Sequence, residues 1–386
     1  MCGMCQPHCP TYQVFRNEAE SPRGRISMIQ AYAQERIAAD DAMLQHLEHC
    51  LGCMACEAMC PSNVAYGKII DNAHALLAEY KTKTPNTQSM LLRKIIIPGG
   101  FQRYSGLLRW YNNSGMQSLG DKLLRLAGIK QYALANNVLG LADTTRLQAF
   151  YPALGPAKAD LALFTGCLGS SFDATTLLNS IKVLNRLGYN LHIPSRQYCC
   201  GALHQHLGQP DQTQQLAQQN RAVFSKFPVT HILFTANGCG AQLAQANMPV
   251  PVMDIVSFIL SAPPLTSSRF KPLNERVLLH ESCSSINKIK IKGAMRKLLQ
   301  NIPELQCFET DSAPECCGAG SYHSLQFPSM AQALALQKMH AIRDIKPKYL
   351  LTDNLGCALH LKNTFKNAGI SVEVIHPITL LAQQLD

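Results

Sequence analysis

Residues 50–61 have the sequence Cys-Leu-Gly-Cys-Met-Ala-Cys-Glu-Ala-Met-Cys-Pro, which places four cysteines in the spacing C-x2-C-x2-C-x3-C directly before Pro61. Bacterial [4Fe–4S] proteins use this spacing, because three thiolates two residues apart wrap three corners of a cubane. The fourth cysteine, Cys60, precedes proline and points away, so that it ligates a neighbouring cluster. A structural zinc site would need paired C-x2-C units separated by a longer loop, which this stretch lacks. The stretch therefore predicts a [4Fe–4S] cluster.

A partial second copy of this motif lies at the beginning of the chain. Cys2, Cys5 and Cys9, followed by Pro10, match its last three cysteines, and the first would fall two residues before Met1. Either the true start lies upstream, which we favour, or this cluster lacks one thiolate. By the crossed-ligand rule, the predicted ligands are Cys2, Cys5 and Cys60 for the first cluster, with one ligand missing upstream, and Cys50, Cys53, Cys56 and Cys9 for the second.

The segment between the two motifs carries helical signals. Apolar residues recur at helical spacing from Ile26 to Ile37, and Asp40 or Asp41 can cap a second helix that leads into Cys50. Two helices that bridge two cluster motifs predict an α-helical ferredoxin domain over residues 1–80.

Two arginines precede the first of these helices. Arg23 and Arg25 either lie exposed at a helix entry or face the clusters. In the second arrangement their positive charge would raise the cluster potentials.

The C-terminal two-thirds of the chain contain an internal duplication. Four cysteines recur at offsets of 116, 117, 117 and 118 residues, and both copies contain a Cys-Cys-Gly-Ala sequence. We expect two repeated domains of about 115 residues each. The matched cysteines are Cys167, Cys199, Cys200 and Cys239 in the first repeat, and Cys283, Cys316, Cys317 and Cys357 in the second.

Each repeat places its cysteines just after short apolar runs. We predict buried strands at residues 161–165, 231–235, 277–279 and 349–352, and helices at residues 175–187 and 330–342. Alternating strands and helices imply a parallel sheet, with the loops at the strand C-termini converging on one site. The chain is thus expected to be a multi-domain α + α/β protein.

The converging cysteines allow several interpretations. An iron–sulfur centre in at least one repeat, a zinc ion, and redox-active or vestigial cysteines all remain open. Cys307 has no counterpart in the first repeat, and we interpret it as a buried inert thiol. His204 and His280 lie beside the cysteines, and we expect both to form hydrogen bonds in loops.

Composition and charge narrow the class of protein. The 386 residues fit two or three domains, and Lys and Arg exceed Asp and Glu by 35 − 25 = 10. Residues 81–130 contain nine basic residues and one acid, and belong to a predicted basic helical connector over residues 81–157. This segment is either a solvated face or a docking surface for an acidic protein or an anionic leaflet, and no motif indicates nucleic acid. The predicted repeat domains then occupy residues 158–270 and 271–386.

Motifs that the sequence lacks predict the cellular compartment and the absence of bound dinucleotides. No run of 18 apolar residues or secretory signal occurs, so sixteen cysteines indicate a reducing compartment in which thiols bind metals. A G-x-G-x-x-G sequence after a strand is also missing, and we therefore expect neither NAD nor FAD in this chain.

With both patterns established, the chain resembles the iron–sulfur subunit of glycolate oxidase (glycolate dehydrogenase), within the CCG-domain superfamily. Besides the cysteine patterns, the resemblance rests on four short stretches: residues 9–12, 21–26, 60–62 and 64–67. It implies FAD-binding partner subunits that oxidise glycolate to glyoxylate, and electron transfer to a quinone or another acceptor. It also implies peripheral association with the inner face of the cytoplasmic membrane.

Two alternative functions remain. One is the iron–sulfur subunit of anaerobic glycerol-3-phosphate dehydrogenase, which is similar in architecture. The other is a reductase of disulfides or quinones centred on the CCG repeats. Heterodisulfide reductase has an additional cysteine per motif, whereas this chain has Ala236 and Asn354 at the corresponding positions.

Overall fold

The computed structural model of the chain describes residues 2–78, 80, 145–262, 270–309, 316–320 and 322–385, with a few isolated positions between 111 and 141. Most of the predicted basic connector over residues 81–157 therefore lies outside the described residues. In the part that is described, no helix has both the length and the apolar character needed to cross a bilayer.

The N-terminal region is helical, and the described residues 2–78 contain no strand. Asp40 caps the third helix by accepting a hydrogen bond from the Met43 amide, and Ser21 caps the second in the same way from Gly24. The elements are α1 (Pro10–Phe15), a 3₁₀ turn (Glu18–Glu20), α2 (Pro22–Ala33), α3 (Asp41–Glu48), α4 (Ala55–Ala58) and α5 (Tyr66–Leu76).

Helix α2 is shorter than its apolar pattern predicts. It ends at Ala33, and Glu35 adopts a left-handed conformation with φ of 56°. This conformation interrupts the helix. Ile37, which we predicted on the same helix face, therefore lies beyond the helix and is exposed.

The first repeat contains a five-stranded sheet. Its strands are β1 (Phe150–Tyr151), β2 (Ala159–Phe164), β3 (Tyr189–His192), β4 (His231–Phe234) and β5 (Val252–Asp254). They lie in the order β1-β3-β2-β4-β5, and all pairs are parallel except β1 with β3. The helices are α6 (Gly166–Phe172), α7 (Ala174–Arg186), α8 (Ala202–His206), α9 (Pro210–Phe224), α10 (Asn237–Ala244) and α11 (Ile255–Ser261). The edge strand β1 lies before residue 158, within the segment that we assigned to the connector.

The second repeat contains a parallel sheet with the equivalent strand order. Its strands β6 (Arg276–His280), β7 (Gln306–Glu309), β8 (Tyr349–Thr352) and β9 (Glu373–Ile375) lie in the order β7-β6-β8-β9. A π-helical turn (Ser284–Ile289) precedes α12 (Ala294–Leu299), α13 (His323–Gln326), α14 (Pro328–Leu336), α15 (Met339–Ile345), α16 (Leu355–Asn367) and α17 (Pro377–Gln384). The four predicted strands correspond to β2, β4, β6 and β8.

The predicted helix over residues 330–342 is instead two helices, α14 and α15. The chain between them passes Lys338, whose side chain is completely buried. The amphipathic pattern of the sequence therefore does not show that the helix is interrupted at the buried Lys338.

The two repeats pack together through their final helices. Helix α17 of the second repeat packs on α7 of the first, and α11 of the first packs on α12 of the second. Phe270 also forms a β-bridge with Leu385 near the end of the chain. One hydrophobic core consequently contains residues from both sheets, including Leu163 and Leu279. This shared core fixes the loops of the two repeats relative to each other.

Candidate metal centres

Four cysteines from two distant parts of the sequence line one cavity in the N-terminal region. Cys9 immediately precedes α1, Cys50 and Cys53 lie in the loop after α3, and Cys56 lies in α4. The remaining lining of this cavity is formed by Pro10, Thr11, Pro22, Arg25, Leu51, Met54 and Tyr66. These four cysteines are the predicted ligands of the second cluster.

The loop between Cys50 and Cys56 needs two left-handed residues to bring its thiols together. Gly52 has φ of 60° and Met54 has φ of 58°. The His206 ring lies so close to Gly52 that a Cβ there would be 2.8 Å from it. Glycine is therefore favoured at position 52 by its left-handed conformation, and the His206 ring leaves little space for a side chain.

The chemistry of this cavity fits an iron–sulfur cluster. Burial raises the pKa of Cys53 and of Cys56 well above the ordinary thiol value, so that charged thiolates there need a cationic partner. A cluster supplies that charge. One side-chain donor points at a cysteine sulfur, since the Tyr66 hydroxyl lies 3.6 Å from Cys50 Sγ. The Thr11 hydroxyl lies 3.2 Å from Cys9 Sγ and donates its proton to the Glu20 carbonyl.

A buried charged network supports the same cavity. Arg25 is 1% exposed, and its Nη1 lies 4.0 Å from Cys9 Sγ while its Nη2 donates to Glu20 Oε2 at 2.7 Å. The other oxygen of Glu20 contacts Nδ1 of His46 and Nδ1 of His49, each at 2.7 Å. Burial opposes ionisation of Glu20, but the hydrogen bonds from the two histidines and the charge of Arg25 outweigh it, and its pKa is lowered.

Of the two arginines weighed from the sequence, the structure therefore turns Arg25 towards the cavity. Arg23 is partly exposed and pairs with Glu18 at 2.6 Å, although its charge also acts on Cys5.

The predicted ligands of the first cluster are more open. Cys2 is exposed, whereas Cys5 and Cys60 are partly buried. Burial raises the pKa of Cys5, and nearby Cys9 and Cys2 raise it further. Cys5 thus lies close to Cys2 and Cys9, the other two cysteines of its motif.

In the first repeat, the four matched cysteines converge at the C-terminal ends of the strands. Cys167 Sγ lies 3.6 Å from Cys199 Sγ, and Cys200 contacts both Cys199 and Cys239. The hydrogen bond with Cys167 lowers the pKa of Cys199, and the same bond raises that of Cys167. Cys199 is thereby the most readily ionised thiol of the group.

The second repeat gathers its four cysteines in the same way. A hydrogen bond with Cys316 lowers the pKa of Cys283, and one with Cys317 raises the pKa of Cys357. His280 joins this group, since one of its ring nitrogens and the sulfurs of Cys317 and Cys357 all lie within 4.8 Å of one another. By contrast, Cys307 lies on β7, where burial raises its pKa.

The N-terminal cavity lies against the second repeat. Cys53, Cys283 and Cys316 belong to one buried apolar cluster, and Cys283 acts electrostatically on Cys53. Asn287 of the π-helical turn donates to the Cys53 carbonyl at 2.9 Å, and His323 contacts the His49 carbonyl at 3.2 Å. The two cysteine groups are therefore neighbours in the folded chain.

Sequence reasoning missed several members of these sites. Spacing identified the cysteines, but Glu20, His46 and His49 are joined only by the tertiary fold. Tyr66 lies in a stretch that carried the family resemblance, and no sequence rule assigned it a hydrogen bond to sulfur. His280 was expected to form a loop hydrogen bond, and its Nε2 has no hydrogen-bond partner among the residues that the structure describes.

Comparison with known families agrees with this arrangement. A model described as a cysteine-rich domain (CCG) matches residues 161–244 and 277–362, which confirms the internal duplication. A model described as a 4Fe-4S dicluster domain matches residues 1–64.

Individual relatives extend the similarity over the whole chain. A probable glycolate oxidase iron–sulfur subunit of Bacillus subtilis (strain 168) is 29% identical, over 99% of this chain and 92% of that protein. The glycolate oxidase iron–sulfur subunit of Escherichia coli (strain K12) is 26% identical, over 100% of this chain and 93% of that protein. One subunit of the dihydromethanophenazine:CoB–CoM heterodisulfide reductase of Methanosarcina barkeri is 23% identical, over 86% of this chain and 80% of that protein.

Proposed function

We propose, because this chain is a homologue of the iron–sulfur subunits of glycolate oxidase, that it is the electron-transfer subunit of a glycolate dehydrogenase complex. An FAD-binding partner oxidises glycolate to glyoxylate, and this chain carries the electrons towards a quinone. The observation that carries the proposal is the cavity lined by Cys9, Cys50, Cys53 and Cys56, which lies directly beside the cysteines of the second repeat.

Two [4Fe–4S] clusters are held by the seven N-terminal cysteines in this proposal. Cys9, Cys50, Cys53 and Cys56 hold one, and Cys2, Cys5 and Cys60 contribute to the other. Bound clusters supply one-electron chemistry, which no side chain here provides. The protein supplies the rest: Tyr66 donates to sulfur, Arg25 contributes positive charge, and the apolar lining excludes water.

The eight cysteines of the repeats hold a further metal centre, which we propose to be iron–sulfur. Their mutual contacts support this, because four thiolates gathered in a buried site repel one another and a bound cation offsets that repulsion. Zinc is the alternative metal, and metal analysis distinguishes the two.

The partner and the location belong to the same proposal. An FAD-binding subunit must dock within electron-transfer distance of the N-terminal cysteines, of which Cys2 is exposed. A quinone acceptor would bring the complex to the inner face of the cytoplasmic membrane, and the net positive charge of the sequence at residues 81–130 would favour an anionic leaflet.

A second candidate is reduction of a disulfide at the repeats. It is favoured by the similarity to a heterodisulfide reductase subunit and by the lowered pKa of Cys199. It predicts that the purified chain, reduced by dithionite, converts a disulfide substrate to thiols. Loss of that activity in Cys199→Ser, with unchanged cubane signals, would favour this candidate over a pure relay.

The main test is anaerobic purification of the full chain with iron, sulfide and EPR measurements, followed by reconstitution with its flavoprotein partner. We expect EPR signals of reduced cubanes, and glycolate:quinone activity only in the complex. Cys56→Ser should abolish one cubane signal and the coupled activity. Cys307→Ser is the matched control and should leave both unchanged. Anaerobic protein without iron and sulfide, or glycolate oxidation by the isolated chain, would contradict the proposal.

A further inference from the structure

The last residue of strand β6 is a histidine without a visible hydrogen-bond partner on one of its nitrogens. His280 is 1% exposed, and its Nε2 is buried with no partner among the described residues. A buried polar nitrogen left without a hydrogen-bond partner destabilises the folded state. We therefore expect this nitrogen to bind a ligand.

The surroundings of His280 indicate what kind of ligand this is. One ring nitrogen and the sulfurs of Cys317 and Cys357 lie within 4.8 Å of one another, which is the separation of atoms that share a metal. A neutral imidazole has a lone pair to offer to a metal, and histidine is the commonest nitrogen ligand in proteins.

The duplication provides an internal comparison. Residue 280 occupies the position of Phe164 in the first repeat, 116 residues earlier, and both are buried at the end of equivalent strands. The apolar ring of Phe164 fills this position in the first repeat, so the fold itself does not require a histidine there. The cysteines are matched one for one, and the imidazole is an additional donor in the second repeat.

We propose that His280 is a nitrogen ligand of the metal centre in the second repeat. This centre would then bind through nitrogen and thiolate, whereas the first repeat offers only thiolates from its matched cysteines. The inference rests on the proposed function in one respect, namely that the repeat cysteines hold an iron–sulfur centre.

A nitrogen ligand changes the redox properties of the second centre. A neutral imidazole adds no negative charge to iron, whereas a further thiolate in the same position would add one and would lower the reduction potential. This centre is also the one beside Cys53, through the buried cluster that contains Cys283 and Cys316. A potential that is not lowered in this way would favour electron flow from the N-terminal cluster into the second repeat.

The test uses the anaerobically purified full chain, enriched in ⁵⁷Fe and labelled with [¹⁵N]histidine or left at natural abundance. Pulsed EPR of the second-repeat centre should show a ¹⁴N coupling that becomes a ¹⁵N coupling on labelling. Mössbauer spectra in both oxidation states should contain one iron site with a nitrogen ligand. The centre itself is assigned by its loss in Cys316→Ser.

Three variants separate ligation from structure. His280→Phe copies the first repeat and should lose the nitrogen coupling. His280→Cys restores a donor and should keep the iron content while it also loses the coupling. His192→Gln is the control, because His192 lies on β3 of the first repeat and its Nε2 contacts Asp160 Oδ2 at 2.7 Å, and its loss should leave the coupling unchanged.

The possible failures are distinguishable. An iron–sulfur centre that depends on Cys316 but shows no histidine nitrogen overturns the role of His280 and leaves the proposed function standing. Iron confined to the N-terminal cubanes, or zinc in the second repeat, overturns the proposed iron–sulfur centre and the inference with it. If His280→Phe fails to fold, the labelled wild-type chain and His280→Cys still decide the question.

Discussion

The side-chain amide of Asn287 donates a hydrogen bond to the backbone carbonyl of Cys53, with an N···O distance of 2.9 Å. The two residues are 234 positions apart in sequence. The bond joins the π-helical turn after Cys283 to the loop that carries the N-terminal cysteines. It thus ties together the two cysteine groups between which electrons are proposed to pass.

Asn287→Ala should loosen this junction. We expect a loss of about 1 kcal/mol in the free energy of unfolding, the usual net value of one hydrogen bond. Because the distance between the two groups becomes less fixed, electron transfer from the N-terminal cluster to the second repeat should slow severalfold. Rapid-freeze EPR after a dithionite pulse measures this rate.

The control for this experiment is Asn301→Ala, which removes a hydrogen bond of 2.9 Å to the Leu298 carbonyl within the second repeat. It should destabilise the protein by a similar amount and leave the transfer rate unchanged. Equal rates in Asn287→Ala and wild type would show that this bond does not set the distance.

Arg25→Gln should lower the reduction potential of the cluster bound by Cys9, Cys50, Cys53 and Cys56. The guanidinium lies 4.0 Å from Cys9 Sγ, and its positive charge stabilises the added electron. Coulomb's law gives about 3 kcal/mol for unit charges about 6 Å apart at an effective dielectric of about 20, or roughly 100 mV for one electron. Redox titration followed by EPR measures the shift.

Arg25→Lys keeps the charge and should recover most of the potential. It should still lose stability, because lysine cannot reproduce the bonds of Arg25 to Glu20 and to the His46 carbonyl. A potential in folded Arg25→Gln protein equal to that of wild type would contradict the electrostatic role.

The sequence predicted the cysteine groups and the strands because these features are local. Cysteine spacing reports on a loop that wraps one cluster, and the apolar runs of β2, β4, β6 and β8 report on burial of both faces of a parallel sheet. The 116–118-residue offsets further predicted the duplication that the CCG matches confirm.

What the sequence did not predict depends on tertiary packing. The packing of α11 on α12 and of α17 on α7 joins the two repeats. The sequence does not predict it, because an apolar helix face does not show which repeat will cover it. The approach of Cys53 to Cys283, and the isolation of the His280 nitrogen, result from how separate units dock. The interruption between α14 and α15 at Lys338 was also not predicted, because the helical periodicity of the apolar residues continues through it.

Gly208→Ala should disturb the docking of the N-terminal region on the first repeat. Gly208 has φ of 74°, and a Cβ there would lie 2.2 Å from the carbonyl oxygen of His74 on α5. Because backbone atoms of α5 cannot yield as a side chain can, the helix must move. We expect a loss of about 2–4 kcal/mol, which combines the left-handed cost with overpacking.

Gly293→Ala isolates the conformational part of this cost. Gly293 has φ of 82°, and no atom lies within 4 Å of its added Cβ. It should cost only about 1–2 kcal/mol and leave hydrogen exchange in α5 unchanged, whereas Gly208→Ala should accelerate that exchange. Equal effects of the two substitutions on exchange and stability would argue against close docking at Gly208.

Asp254→Asn should stabilise the protein at alkaline pH. Asp254 is 2% exposed, and burial raises its pKa from 3.8 to about 7. Between these values the folded chain holds a proton that the unfolded chain has released, so stability falls as pH rises through this window. Asparagine is neutral throughout and can still accept the hydrogen bond from the Ser257 amide, 2.9 Å away. We expect a gain of about 2–4 kcal/mol at about pH 8.5 that shrinks towards about pH 5.5, measured by anaerobic urea denaturation.

Asp160→Asn provides a control of opposite sign. Hydrogen bonds from His192 and Asn190 lower the pKa of Asp160, so its carboxylate contributes stability that is present above the ordinary aspartate pKa and lost on acidification. Asp160→Asn should therefore destabilise the protein at the same alkaline pH, while Asp254→Asn stabilises it.

The two aspartates lie in the same sheet, on β2 and β5, so a general effect of removing negative charge from this basic protein would change the stability of both variants in one direction. Opposite signs can arise only if each carboxyl responds to its own surroundings, and equal signs would contradict the raised pKa of Asp254.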